Sequence, residues 1–148
     1  MTELEIKQEV ERQFNILSRG CDEIINENEF KKKLEKSIST NTPLRVKLGI
    51  DPTGSDLHLG HAVPLRKLKQ FQDLGHDVFF LIGTFTGRIG DPTGKSETRK
   101  MLSEEQVMEN IKTYLDQVKL ILDLDKINVV YNADWLEKLS LSDALNLL

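Results

Sequence analysis

Disulfide chemistry is excluded at the outset. The sequence holds one cysteine, Cys21, so no internal crosslink can form. Such sparse use of cysteine fits a reducing compartment. Long apolar runs are missing too. The longest spans residues 78–82, far short of the ~20 residues a membrane-crossing helix needs. The opening stretch, MTELEIKQEVERQF, is charged from its third residue onward and has no apolar run of signal-peptide type. Nor is there an excess of positive charge. Lys and Arg total 20 against 24 Asp and Glu, a formal net charge of −4. A mildly acidic chain is no general binder of phosphate backbones, so any grip on RNA must come from a local patch or from elsewhere. Together these absences predict a cytoplasmic protein with no membrane contact.

What is present suffices for one domain. The chain has 148 residues, 39% hydrophobic and 30% charged, ordinary proportions for a packed core. Leu4, Val10, Phe14 and Leu17 recur at helical spacing and predict an N-terminal helix ending near Gly20. Phe30, Leu34 and Ile38 predict a second, broken by residues 41–43. Residues 44–50 read as a strand. Ala62, Leu65, Leu68, Phe71 and Leu74 mark a helix stopped by Gly75. Residues 77–83 contain the run Val78-Phe79-Phe80-Leu81-Ile82, which predicts a strand buried on both faces. Residues 84–100, rich in Gly, Thr, Asp and Pro, read as a long functional loop. Ser103 and Gln106 form a capping box for a helix with Val107, Ile111, Leu115, Val118 and Leu122 on one face. A short strand at 129–131 and a helix over 135–148 complete the order.

This βαβ rhythm predicts an α/β fold, a Rossmann-like doubly wound parallel sheet preceded by N-terminal helices. Residues 1–43 form the helical segment and residues 44–148 the first half of the Rossmann-like domain. In such folds ligands sit beyond the C-terminal ends of the strands. The polar loops at 51–61 and 84–99 both follow predicted strands, so they are expected to line one crevice. The tetrapeptide Asp-Pro-Thr-Gly occurs at 51–54 and at 91–94, as two similar turns. The final residues, SLSDALNLL, show no closing turn chemistry, which reads as a piece of a longer chain.

In the first loop, His58 and His61 stand three apart with Gly60 between them. Pro64 is tolerated only in a first helical turn, so the helix is expected to begin near His61, with His58 and Gly60 in the turn before it. A helix N-terminus points N–H groups and a positive dipole end into the crevice, and Gly60 lets a ligand approach the backbone. Two imidazoles converging there suit a polyphosphate. Two blander readings stay open: a metal site lacking a visible third ligand, and plain capping residues. In the second loop, Gly94-Lys95-Ser96 invites comparison with a phosphate-binding P-loop. That motif needs four residues before its Gly-Lys pair. Gly90 and Gly94 enclose three and Gly87 lies too far back, so a P-loop is excluded. Alone, Asp91, Lys95 and Arg99 would pass for a turn residue and two solvated charges. The basic clusters Lys31-Lys32-Lys33 and Arg66-Lys67-Lys69 read as solvated helix faces, and Tyr131 and Trp135 as core.

The segment VKLGIDPTGSDLHLGH, residues 46–61, resembles the signature of class I tyrosyl-tRNA synthetases, with His58-Leu59-Gly60-His61 in place of their His-Ile-Gly-His. TGRIGDPTGK, residues 86–95, followed by Arg99, resembles a second segment of the same family. The resemblance covers nearly the whole chain. It implies activation of tyrosine by ATP and transfer to tRNA(Tyr), with Mg-ATP as substrate and no tightly bound cofactor. By this resemblance Gly49, Asp51, Thr53, His58, Gly60 and His61 serve ATP, and Lys47 and Asp91 serve tyrosine. His58 and His61 would meet the phosphates or the nucleotide, and Lys95 and Arg99 the departing pyrophosphate. No metal ligand is implied. Lys47-Leu48-Gly49 replaces the Tyr-Cys-Gly of many bacterial members, which assigns the chain to a Val-Lys-Leu-Gly branch. Pro64 stands where Thr is frequent. No Lys-Met-Ser-Lys-Ser motif is present, and the second Rossmann half and the anticodon-binding region are absent. The resemblance therefore implies an active parent enzyme, homodimeric at full length, of which this piece is inactive alone. Two rivals remain at this point: another nucleotidylyl transferase with the His-x-Gly-His turn, and a non-catalytic truncated paralogue. A tryptophanyl enzyme would carry Asn at position 61.

Overall fold

Side chains mark where the longer helices start. Thr2 and Glu5 close a capping box ahead of α1 (Glu3–Ser18), and Asn26 caps α2 (Glu27–Thr40). Asn41 ends α2 in the left-handed conformation, a role open to Asn at little cost. The computed structural model of the chain describes residues 1–89 and 102–147. After the hairpin of α1 and α2 come β1 (Arg45–Ile50), α3 (Leu59–Asp73), β2 (Asp77–Ile82) and a single turn, α4 (Thr86–Ile89). Then follow α5 (Glu104–Val118), a 3-10 turn (Leu124–Lys126), β3 (Ile127–Tyr131), α6 (Ala133–Leu136) and α7 (Leu141–Asn146). The helix predicted over 135–148 is thus two short ones, because Ser140 caps a new start with Asp143. The predicted box of Ser103 and Gln106 opens α5.

Among the described residues the sheet has three strands in the order β1-β2-β3, all parallel. It is the βαβ arrangement expected of a doubly wound fold. Val78, Phe80 and Ile82 of β2 are fully buried under Leu65 and Leu68 of α3 and Val107, Ile111 and Val118 of α5. Each such side chain contributes about 1.5–3 kcal/mol through burial.

The other sheet face differs from expectation. β2 alternates between buried and half-buried positions rather than being enclosed on both sides. Phe79 and Leu81 are half-buried, and Arg45, Lys47 and Gly49 of β1 are exposed. The reason is topological. The residues of α3 and α5 that pack on the sheet all meet the Val78-Phe80-Ile82 face. On the open face the Arg45 guanidinium lies 4.7 Å from the Phe79 ring centroid.

A second apolar cluster joins Val10, Phe14 and Leu17 of α1 to Leu34 of α2. Phe71 of α3 packs against both clusters. The seam is reinforced by polar contacts. Lys67 Nζ donates to the carbonyls of Leu17 (2.6 Å) and Arg19 (2.9 Å), at the C-terminus of α1. Lys67 is therefore no solvated charge, unlike Lys69, which pairs with Asp73. Lys31 likewise departs from a plain solvated face, lying 4.2 Å from the Phe14 ring centroid. His76 sits across the same seam, 7% exposed. Its Nδ1 accepts from the Leu44 N–H (3.2 Å), so its proton rests on Nε2, facing Gln13 Oε1 at 3.2 Å. Burial lowers the pKa of His76 despite the opposing charge of Asp77.

Candidate functional site

The ends of the three strands converge on one polar floor. Past β1 stands Asp51; past β2 come Gly83 and Thr84; past β3 comes Asn132. The Thr86 hydroxyl donates to Asp51 Oδ1 (2.6 Å) and accepts from Asn132 Nδ2 (2.9 Å). Asn132 Oδ1 accepts from the Phe85 N–H at 2.8 Å, and Thr84 Oγ1 accepts from the Ala133 N–H at 3.1 Å. The two polar loops are thereby tied together through Asp51 and Thr86. Gly83 permits that approach, since a Cβ there would overlap Asp51 Oδ1 and the Thr86 hydroxyl.

Above this floor, α3 begins two residues earlier than expected, at Leu59, with His58 as its cap. The cause is a capping box built from imidazoles. His58 Nδ1 accepts from the Gly60 N–H (3.1 Å), and His61 Nδ1 accepts from the His58 N–H (3.1 Å). An Nδ1 that accepts carries no proton, so each ring holds its proton on Nε2. The rings lie side by side, with centroids 3.9 Å apart. Burial, and then the neighbouring His58, lower the pKa of His61, favouring the neutral ring. Gly60 is needed for this stacking before any ligand enters: a Cβ would stand 2.9 Å from two His58 ring atoms. Because the helix starts early, Pro64 falls in its second turn, where it has no N–H to donate to the Gly60 carbonyl.

Of the other predicted residues, Lys47 and Gly49 belong to β1 and Thr53 follows it. Thr53 is half-buried, and its N–H donates to the Asp51 carbonyl (2.8 Å). Lys47 and Gly49 lie on the open face of β1, with the Lys47 ammonium close above Gly49. Asp91, Lys95 and Arg99 lie outside the described residues. Among the described residues no group of three or more His, Cys, Asp or Glu is arranged to hold a metal ion. No helix among them is long and apolar enough to cross a membrane.

Sequence reading passed over Thr86, Gly83 and Asn132 as site residues. The signal for Asn132 was a lone amide directly after an apolar strand; it is only 5% exposed. Trp135, read as core, is 44% exposed, whereas Tyr131 does pack against the main cluster.

The family model for tRNA synthetases class I (W and Y) matches residues 39–148. The chain belongs to this family. Its curated relatives include a tyrosine–tRNA ligase from Carboxydothermus hydrogenoformans, 56% identical over 94% of this chain and 34% of that protein. Another, from Geobacter metallireducens, is 57% identical over 93% of this chain and 34% of its own length. The chain thus spans about a third of the length of the curated relatives it matches. Among solved structures, the tyrosyl-tRNA synthetase of Archaeoglobus fulgidus, complexed with L-tyrosine, superposes with a TM-score of 0.69 at 21% identity. It is covered over 38% of its length by 92% of this chain. That of Aeropyrum pernix gives 0.69 at 23% identity, with 93% of this chain covering 38% of that one. At such identities the likeness speaks for the Rossmann-like fold.

Proposed function

We propose that this chain is the nucleotide-binding part of a tyrosine–tRNA ligase. The parent enzyme joins tyrosine to ATP as tyrosyl-adenylate and passes the tyrosyl group to tRNA(Tyr). Residues 44–148 would supply the first half of the catalytic domain and residues 1–43 a helical brace. Tyrosine is preferred over tryptophan because the curated relatives are tyrosine–tRNA ligases, and because position 61 is His. The observation that carries the reading is the reciprocal cap of His58 and His61, which commits both Nδ1 atoms to the backbone and keeps both ring protons on Nε2.

The chemistry follows from that arrangement. The tyrosine carboxylate is already ionised at neutral pH and needs no general base. Its oxygen attacks the α-phosphorus of ATP, a new P–O bond forms, and the bond to the β-phosphate oxygen breaks to release pyrophosphate. The protein must align the reactants and neutralise charge on the phosphoryl oxygens. His58 and His61 do so as neutral donors, aided by the N-terminus of α3 and the approach left open at Gly60. Gly49, Asp51 and Thr53 line the nucleotide floor. Lys47 donates to the tyrosine phenol and Asp91 pairs with its ammonium. Lys95 and Arg99 follow the leaving pyrophosphate. ATP enters as its Mg2+ complex, and no tightly bound cofactor is required. In this reading the full-length enzyme works as a cytoplasmic homodimer, and the present chain alone binds without turning over.

Titration of the chain with a non-hydrolysable tyrosyl-adenylate analogue, followed by NMR, tests this. Shifts are expected at Gly49, Asp51, His58 and Gly60. A folded sample showing none would remove the assignment, and equal binding of a tryptophanyl analogue would remove the choice of tyrosine.

A further inference from the structure

The loop between β1 and α3 makes few bonds to itself. One turn of its own joins the Thr53 N–H to the Asp51 carbonyl. Between Pro52 and Leu57 its backbone is also bonded by side chains of α5, some 58–62 residues away. Asn110 Nδ2 donates to the Pro52 carbonyl (2.9 Å). The Thr113 hydroxyl donates to the Ser55 carbonyl at 2.6 Å, in preference to the Asn110 carbonyl at 2.8 Å, since it has one proton for the two. Gln117 holds the loop from both sides. Its Nε2 donates to the Ser55 carbonyl (3.2 Å), and its Oε1 accepts from the Leu57 N–H (2.8 Å). Leu57 directly precedes His58.

These residues stand at i, i+3 and i+7, one face of a helix. Val107, Ile111 and Val118 on the adjoining face are buried against the sheet. The polar stripe is therefore fixed in position by the core. It also addresses backbone groups only, so it sets the path of the loop rather than the identity of its side chains. Pro52, fully buried, anchors the loop at its start.

We propose that Asn110, Thr113 and Gln117 are positioning residues for the nucleotide site, a clamp that fixes the entry into the His58–His61 turn. This deepens the proposed function and rests on it for its purpose. Groups that contact phosphate must be preset within a fraction of an ångström to act. A loop without ladder bonds does not meet that demand unaided.

The test compares the chain carrying Thr113→Val and Gln117→Leu together with wild type and with Thr113→Ser, which keeps the hydroxyl. Unchanged amide shifts in β2 establish that each variant is folded; Gln117→Leu alone, which removes the acceptor of the Leu57 N–H, serves if the double variant is not. The clamp predicts about tenfold faster exchange of the Leu57 amide, the scale of one lost hydrogen bond. It also predicts displaced ring resonances of His58 and His61 and about tenfold weaker binding of the adenylate analogue, with Thr113→Ser near wild type. Wild-type Leu57 exchange and ring shifts in the folded variants would overturn the proposal, as would full analogue affinity in a variant whose loop has loosened. If wild type itself fails to bind the analogue, the functional reading falls, and the amide and ring signals still decide whether the clamp sets the turn.

Discussion

Gly83 lies so close to Asp51 that the Asp51 Cγ would be 2.9 Å from a Cβ at position 83, with Oδ1 nearer still. The carboxylate occupies the space a side chain would need. Gly83→Ala must therefore push Asp51 off the Thr86 hydroxyl or shift the strand end. A cost of about 1–3 kcal/mol is expected, the usual scale for overpacking, together with loss of the Asp51 response to the adenylate analogue. Denaturant unfolding and the analogue titration measure the two effects, and a variant with wild-type stability and binding contradicts the packing argument.

His58→Asn separates capping from ligand contact. Asparagine is a favoured N-cap and retains an acceptor for the turn, so stability should stay within about 1 kcal/mol of wild type. Analogue binding should drop, because the Nε2–H donor is gone. If binding persists at full strength, His58 is a capping residue only.

Lys67→Met removes three donated bonds, to the carbonyls of Leu17 and Arg19 and to Gln70 Oε1 at 2.6 Å, while keeping the apolar stem. The last carbonyls of α1 lose their cap. Stability is expected to fall by about 1–3 kcal/mol, with amide exchange accelerating in the last turn of α1 ahead of the sheet. Uniform acceleration throughout the chain would show that Lys67 does not act at this seam.

His76 gives the chain a dependence on pH. Its folded pKa lies below the ordinary histidine value, so the unfolded chain binds its proton first as pH falls. The stability it contributes is complete above about pH 6.5, the unfolded value. It is lost as pH drops from there through the folded pKa, where protonated Nδ1 would face the Leu44 N–H. His61 is shifted the same way and adds to this window. Glu9, held at about 2 chiefly by its bond to Arg12, gives way only in stronger acid. Unfolding midpoints measured across this range should decline, and His76→Phe should flatten part of the decline. An unaltered slope in that variant would assign it elsewhere.

The periodicity of apolar residues made the helices and the parallel order legible, because burial against one face imposes a regular spacing. Val78 to Ile82 misled for a physical reason. A continuous apolar run records what a strand can cover, whereas the coverage of Phe79 and Leu81 depends on where the crossing helices lie. The start of α3 was misplaced because imidazoles are unusual caps, and Pro64 argued for a later start. Asn132 and Thr86 escaped notice since their importance comes from a chain of bonds between strand ends, Asn132 to Thr86 and Thr86 to Asp51, which no local pattern records. The stripe of Asn110, Thr113 and Gln117 was visible only as the polar flank of an amphipathic helix. The roles of Lys47, Asp91, Lys95 and Arg99 rest on family resemblance.

Helix α3 holds the histidine turn at one end and, through Lys67 and Phe71, grips the α1–α2 hairpin toward the other. Its 15 residues make a rod about 22 Å long. A rod of that length tilted by about 5° moves its tip by about 2 Å, more than the tolerance of a phosphate contact. The core beneath Leu65 and Leu68 and the seam at Lys67 and Phe71 hold that rod at successive points, so the hairpin helps to set the angle at which two imidazoles meet the strand ends.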